Sequence, residues 1–158
     1  MPTHKEVAQA WANKTGTKAK GFNMFSTCFV YSQLDTFYTN IYSYGYHFLI
    51  ARHVKNTKDQ SCILLTTRDY SPSTAQHIAL VRGAIDREAT IFNVDNTKAE
   101  TKDDHKANYQ KIKTKIDEFL GKASRARAHK DLYVRQASQL VEQANAYNKF
   151  FALGFKKI

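Results

Sequence analysis

The sequence predicts an α+β fold: a small antiparallel sheet covered by two helices, followed by a C-terminal antiparallel helical hairpin. Three observations carry this. Between Phe22 and Val94 the chain falls into short runs rich in aromatic and β-branched residues, separated by turn residues. Two capped segments with apolar residues at three-and-four spacing precede and interrupt those runs. Beyond Asp104 the composition shifts to helix formers whose apolar residues repeat at three and four. Residues 1–95 are therefore expected to form the α+β unit. Residues 96–158 are expected to form a linker and a basic hairpin packed on it or on a second copy.

Thr3 and Glu6 have the spacing of a capping box ahead of Val7, Ala8 and Trp11, so a short helix is expected, ending near Thr15 and Gly16. Phe22 to Tyr31 reads as a first strand, and Ser32 to Asp35 as a turn. The stretch from Ile41 to Val54 organises the unit. On a two-residue period Tyr42, Tyr44, Tyr46, Phe48 and Ile50 share one face; Ile41, Ser43, Gly45, His47, Leu49 and Ala51 share the other. Gly45 inside it favours a hairpin of two strands over one long strand. Ser61 to Arg68 reads as the next strand. Ser71 followed by Pro72 fits an N-cap and first-turn proline, with Ser73 as the competing cap. That helix is expected to bury Ile78, Val81 and Ile85, and Thr90 to Val94 reads as the last strand. In the tail, Tyr109, Ile112, Ile116 and Phe119 define one helix, expected to end at Gly121. Tyr133, Ala137, Leu140, Ala144, Tyr147 and Phe151 form a coiled-coil-like seam on the next, and a stripe of that length would also serve a homodimer.

A chain of 158 residues has room for one domain with an appended hairpin, and it needs no covalent staple. Cys28 and Cys62 stand singly in apolar runs and read as reduced core thiols, with a disulfide as the alternative. No zinc-ligand spacing and no cofactor motif appears, so no metal and no cofactor is expected. No run approaches the roughly 18 apolar residues of a membrane span, and no signal region opens the chain; a cytoplasmic location is expected. The formal charge of +10, with a pI near 9.6, sets the sign of the partner. Such a field attracts nucleic acid, an acidic protein surface or anionic lipid.

Several short blocks occur in a fixed order: His4-x-x-Val7-Ala8-x-x-Trp11-Ala12, Met24-Phe25, Tyr42-Ser43-Tyr44-Gly45-x-His47-Phe48-x-Ile50-Ala51 and Thr66-Thr67-x-x-Tyr70-Ser71-x-x-Thr74-x-x-His77. Over about the first 90 residues this succession resembles a family of uncharacterised small proteins from bacteriophages and bacterial mobile elements. The tail from Asp104 lies outside the pattern, as does part of Cys28 to Thr39. The resemblance implies a phage-type origin, hence a bacterial host cytoplasm, and supplies no activity, cofactor or catalytic residue.

Four sets of residues could carry chemistry. The helix start around Arg68, Ser71, Ser73, Thr74 and His77 offers N–H groups, hydroxyls and a cation to an anion; the competing reading is a cap and a polar gap-filler. His47 and His77, if the sheet joins them, could act as base and acid in metal-independent phosphodiester cleavage, with Ser43 and Tyr44 beside them. No diagnostic spacing supports that pair. Tyr44 and Tyr46, near Arg52 and Lys55, could stack bases, or be core. Finally, Lys111, Lys115 and Lys122 share a helix face. With Arg125, Arg127 and Lys130 at the hairpin turn they suit phosphates, or form a solvated surface.

The expected function is therefore a small basic accessory protein, non-enzymatic, binding RNA or DNA without sequence specificity, or a host complex containing nucleic acid. A protein–protein module that inhibits a host enzyme or defence system is the alternative class, and the His47/His77 phosphodiesterase is a third.

Overall fold

The structure is a computed structural model that describes residues 3–14, 24–29, 37–44, 48–68 and 71–158. The fold is α+β. Its elements run α1 (His4–Ala12), β1 (Met24–Phe29), β2 (Phe37–Ser43), β3 (Leu49–Lys55), β4 (Ser61–Thr66), α2 (Pro72–Ala84), β5 (Ile91–Val94), α3 (Lys102–Arg125) and α4 (Lys130–Phe150). The chain divides into two compact units, Met1–Lys98 and Ala99–Ile158.

In the first unit the strands lie in sequence order in one five-stranded sheet. β1 to β4 form an antiparallel meander. β2 and β3 pair with Ile41 opposite Ala51, so the stretch Ile41 to Val54 is a hairpin, its turn closed by the Ser43 N–H on the Phe48 carbonyl (3.1 Å). The sheet is not antiparallel throughout, however. β5 runs parallel to β4, with Ile63 opposite Ile91 and Thr66 opposite Val94. The reason is connectivity: α2 occupies the link between them, and a helical crossover returns the chain in the same direction.

The caps form as their residues dictate. The Thr3 hydroxyl accepts the Glu6 N–H (3.2 Å) while the Glu6 carboxylate accepts the Thr3 N–H (2.6 Å). The helix stops earlier than expected, at Ala12, with Asn13 as C-cap; Thr15 and Gly16 lie outside the described residues. At α2 the Ser71 hydroxyl accepts the Thr74 N–H (3.2 Å) and Pro72 follows, so Ser71 is the cap rather than Ser73. The buried line of α2 runs through Thr74, His77 and Val81, turned towards polar residues; Ile78 is half-buried.

α1 and α2 pack against the sheet around a core of Val7, Trp11, Ile41, Ala51, Ile63, Leu65, Val81 and Ile85. Trp11 is fully buried there, so the largest single side chain of this core comes from the shortest helix. Cys62 is a buried free thiol, and burial pushes it up to about 12 against the opposing pull of Arg52. It stays protonated and unreactive at neutral pH. The Cys28 side chain lies outside the described set.

In the second unit Thr101 caps α3, in a capping box with Asp104, so helix begins inside the expected linker. It also continues past Gly121 to Arg125. A glycine ends a helix where a left-handed residue is needed. Here Lys122 and Ala123 carry the helical pattern on, and Ala123 is buried. Four residues, Ala126 to His129, then join α3 to α4. The start of α3 meets the end of α4, which makes the pair antiparallel. His105 Nδ1 lies 2.6 Å from the Tyr147 hydroxyl, Asn108 donates to the same hydroxyl (3.2 Å), and the His105 ring stacks on Phe151 at 3.7 Å. The seam residues Ala137, Ala144 and Tyr147 are thus buried within the single chain. Two asparagines bind the C-terminal segment as a neighbouring strand would: Asn148 with the N–H and carbonyl of Phe155, Asn145 with those of Ile158. Among the described residues no helix is long and apolar enough to cross a membrane.

Candidate functional site

The sheet collects polar chemistry at one end. β2, β4 and β5 all finish there, and α2 starts there. Ser43 closes β2 and its hydroxyl stands 2.6 Å from Nδ1 of His77 on α2. The ring of His4 meets that of His77 edge-on at 4.5 Å, and the Tyr44 ring lies tilted at 5.6 Å. Burial, reinforced by the nearby His4, holds His77 below the usual histidine range, so the imidazole is neutral near pH 7. A neutral imidazole bonded to a serine hydroxyl is the first half of an activated nucleophile. Yet Ser43 is 1% exposed and His77 3%, so no substrate carbonyl or phosphorus can approach the oxygen in this conformation. The pair works as an internal tie between β2 and α2. The expected partner of His77, His47, lies outside the described residues, as does Tyr46.

The expected anion site is engaged internally in the same way. The Arg68 guanidinium pairs with Asp95 (3.2 Å), and the main-chain N–H of Arg68 donates to the Thr66 hydroxyl (3.0 Å). Ser71 caps the helix and donates its hydroxyl proton to the Thr74 hydroxyl (3.0 Å), with Thr74 buried. Ser73 is exposed. A cavity bordered by Thr66, Arg68, Asp95 and Lys98 holds about 100 Å³, below the roughly 300 Å³ at which small-molecule sites begin. Tyr44 is different: its backbone is left-handed (φ 63°) and its side chain is 51% exposed, leaving a ring face in solvent. Tyr42 is buried and accepts a hydrogen bond from Asn40 (2.9 Å), so it is core.

The second unit concentrates charge instead. It carries thirteen Lys and Arg against seven Asp and Glu. Lys111, Lys115, Lys122, Arg125, Arg127 and Lys130 are all exposed, and among the described residues none of them forms an ion pair. Lys111, Lys115 and Lys122 line one flank of α3, spanning about 16 Å at 1.5 Å per residue. Glu118 falls on the same line without bonding to its neighbours. The Lys122 ammonium sits 5.3 Å from the centre of the Phe119 ring, which orients it along the helix. At the turn His129 adopts a left-handed backbone (φ 63°) and α4 begins without a side-chain cap. Its uncapped N–H groups therefore add positive potential beside Arg127 and Lys130.

Among the described residues no group of three or more His, Cys, Asp and Glu could hold a metal ion. No family model, curated protein or solved structure matches the chain. Two residues that matter were not singled out in the sequence. His4 has no signal beyond its place in the first block. His53 is hidden because a strand histidine at an apolar face reads the same whether it packs or binds.

Proposed function

We propose that this chain is a small, non-enzymatic accessory protein of phage type that binds nucleic acid through phosphate contacts at the tip of the α3–α4 hairpin. One observation carries the reading: six exposed cations, running from the middle of α3 to the turn of the hairpin, unpaired among the described residues. Between Lys111 and Lys130 there are seven cations and only two acids, Asp117 and Glu118, so the positive potential is not cancelled locally. Contacts of this kind fix position on the backbone and read no sequence. The location that fits is the cytoplasm of a bacterial host, with RNA, DNA or a complex built on either as the partner.

The test is fluorescence anisotropy with labelled RNA and DNA, duplex and single-stranded, at low salt. The parent chain is expected to bind with a dissociation constant in the non-specific range, about 10⁻⁴ to 10⁻⁶ M at physiological salt. Arg125→Glu with Arg127→Glu should weaken this by more than about tenfold, with the circular dichroism unchanged. Absence of binding to all four probes at low salt would remove the reading and leave the cations to an acidic protein surface.

A further inference from the structure

The opposite end of the sheet from Ser43 and His77 holds a cavity of about 300 Å³. It lies where α1 and α2 end and β3 turns into β4. Ala12 and Lys14 border it after α1, Ile85, Asp86 and Glu88 after α2, and His53 on the sheet. The volume stands at the lower limit of small-molecule sites, roughly 300–1,000 Å³. A single ring system fits; a polymer does not.

His53 decides what that ring must carry. Its Nε2 lies 3.0 Å from the main-chain carbonyl oxygen of Trp11. A carbonyl can only accept, so Nε2 bears the proton. Burial pushes the imidazole down to about 4, the Trp11 carbonyl opposing and the Lys14 charge assisting. The ring is therefore neutral near pH 7, and Nδ1 is a bare acceptor. Among the described residues Nδ1 has no hydrogen-bond partner. The Trp11 indole, 4.5 Å away and tilted by 35°, fixes the ring's orientation.

The rim has the same preference. Asp86 and Glu88 are exposed, and ionised carboxylates only accept. The Glu88 N–H donates to the Asp86 carboxylate (2.9 Å), which holds that side chain in place. Asp86, Glu88 and His53 thus offer acceptors, the Ser61 and Thr90 hydroxyls can accept or donate, and Ile85 supplies an apolar wall. Lys14 provides a cation at the margin. Among planar rings the guanine edge, with adjacent N–H and NH₂ donors, matches a carboxylate in bidentate fashion.

We propose that this cavity binds a planar, donor-rich heterocycle of the guanine type, as a nucleoside or nucleoside monophosphate, with the base among His53, Asp86 and Glu88. The site is independent of the hairpin reading. Isothermal titration of the full chain with guanosine, adenosine and uridine 5′-monophosphates tests it. Guanosine monophosphate should bind one to one, at least about tenfold tighter than the other two. Ala89→Leu, which fills the cavity wall, and the pair Asp86→Asn, Glu88→Gln should each weaken it by about tenfold or more. Asp86 and Glu88 are exposed and Ala89 is half-buried against the core, and a retained thermal midpoint shows that each variant folds. The His53 ¹⁵Nδ1 resonance should move on titration. No binding at about 5 mM ligand overturns the proposal. Equal binding of the three nucleotides that survives both cavity variants also overturns it.

Discussion

The two units handle their polar side chains in opposite ways. In Met1–Lys98 they bond to each other: Ser43 to His77, Arg68 to Asp95, Ser71 to Thr74. In Ala99–Ile158 the interior polar groups are likewise satisfied, His105 and Asn108 both meeting the Tyr147 hydroxyl, but the cations outside are left to solvent. A group committed to an internal bond must lose that bond before it can meet a ligand. A solvated lysine or arginine loses only loosely held counterions. Exposed, unpaired charge therefore gathers on the hairpin, and internal hydrogen bonding at the end of the sheet that carries Ser43 and His77.

The contrast can be broken at several points. The largest effect is expected from Trp11→Ala, which empties the core of the first unit and should cost roughly 3–5 kcal/mol, read by urea unfolding followed at the sheet's circular dichroism. Next comes acid. His53 titrates at about 4 when folded and near 6.5 when unfolded. Between those values the unfolded chain takes up a proton that the folded chain refuses, so stability is full above pH 6.5 and falls as the pH drops towards 4. The loss should reach about 3 kcal/mol, with His77 adding in the same direction. His53→Gln, which keeps an N–H for the Trp11 carbonyl, should flatten that slope between denaturation curves at the two ends of the range.

In the hairpin, Tyr147→Phe removes the hydroxyl shared by His105 and Asn108 and should cost about 1–3 kcal/mol in chemical denaturation, without altering nucleic-acid binding. A combined loss of stability and binding would show that the two functions of the hairpin are not separable. The smallest effect is a gain. Gly121→Ala places a methyl 3.6 Å from the Arg125 guanidinium, an ordinary contact. It should raise the thermal midpoint through about 0.5–1 kcal/mol of helix propensity.

Much of the fold can be read in the residues because the signals are local. Thr3 with Glu6 and Ser71 with Pro72 announce helix starts through hydrogen bonds made within three residues. The seam from Tyr109 to Ile116 needs only periodicity. Where the outcome depends on distant partners the sequence is silent. Nothing within Ile91 to Val94 sets the direction of β5; the cue lies outside it, in the α2 crossover that returns the chain parallel to β4. Gly121 looks like a stop until the buried Ala123 beyond it is known. The basic tip was visible as composition. That its cations remain unpaired among the described residues depends on where Asp117 and Glu118 point, which spacing alone leaves open. The cavity at His53 could not be seen at all, because it is made by the ends of four elements far apart in the chain.

The most direct test of the account is the salt dependence of duplex binding. Observed affinity plotted against salt, both on logarithmic scales, should fall with a slope of about −0.9 per phosphate neutralised. The six cations of α3 and the turn predict a slope of roughly −3 to −5, reduced in magnitude by about 2 in Arg125→Glu with Arg127→Glu. A slope near zero, or one that the double variant leaves unchanged, would contradict the assignment of the hairpin tip as the phosphate-binding surface.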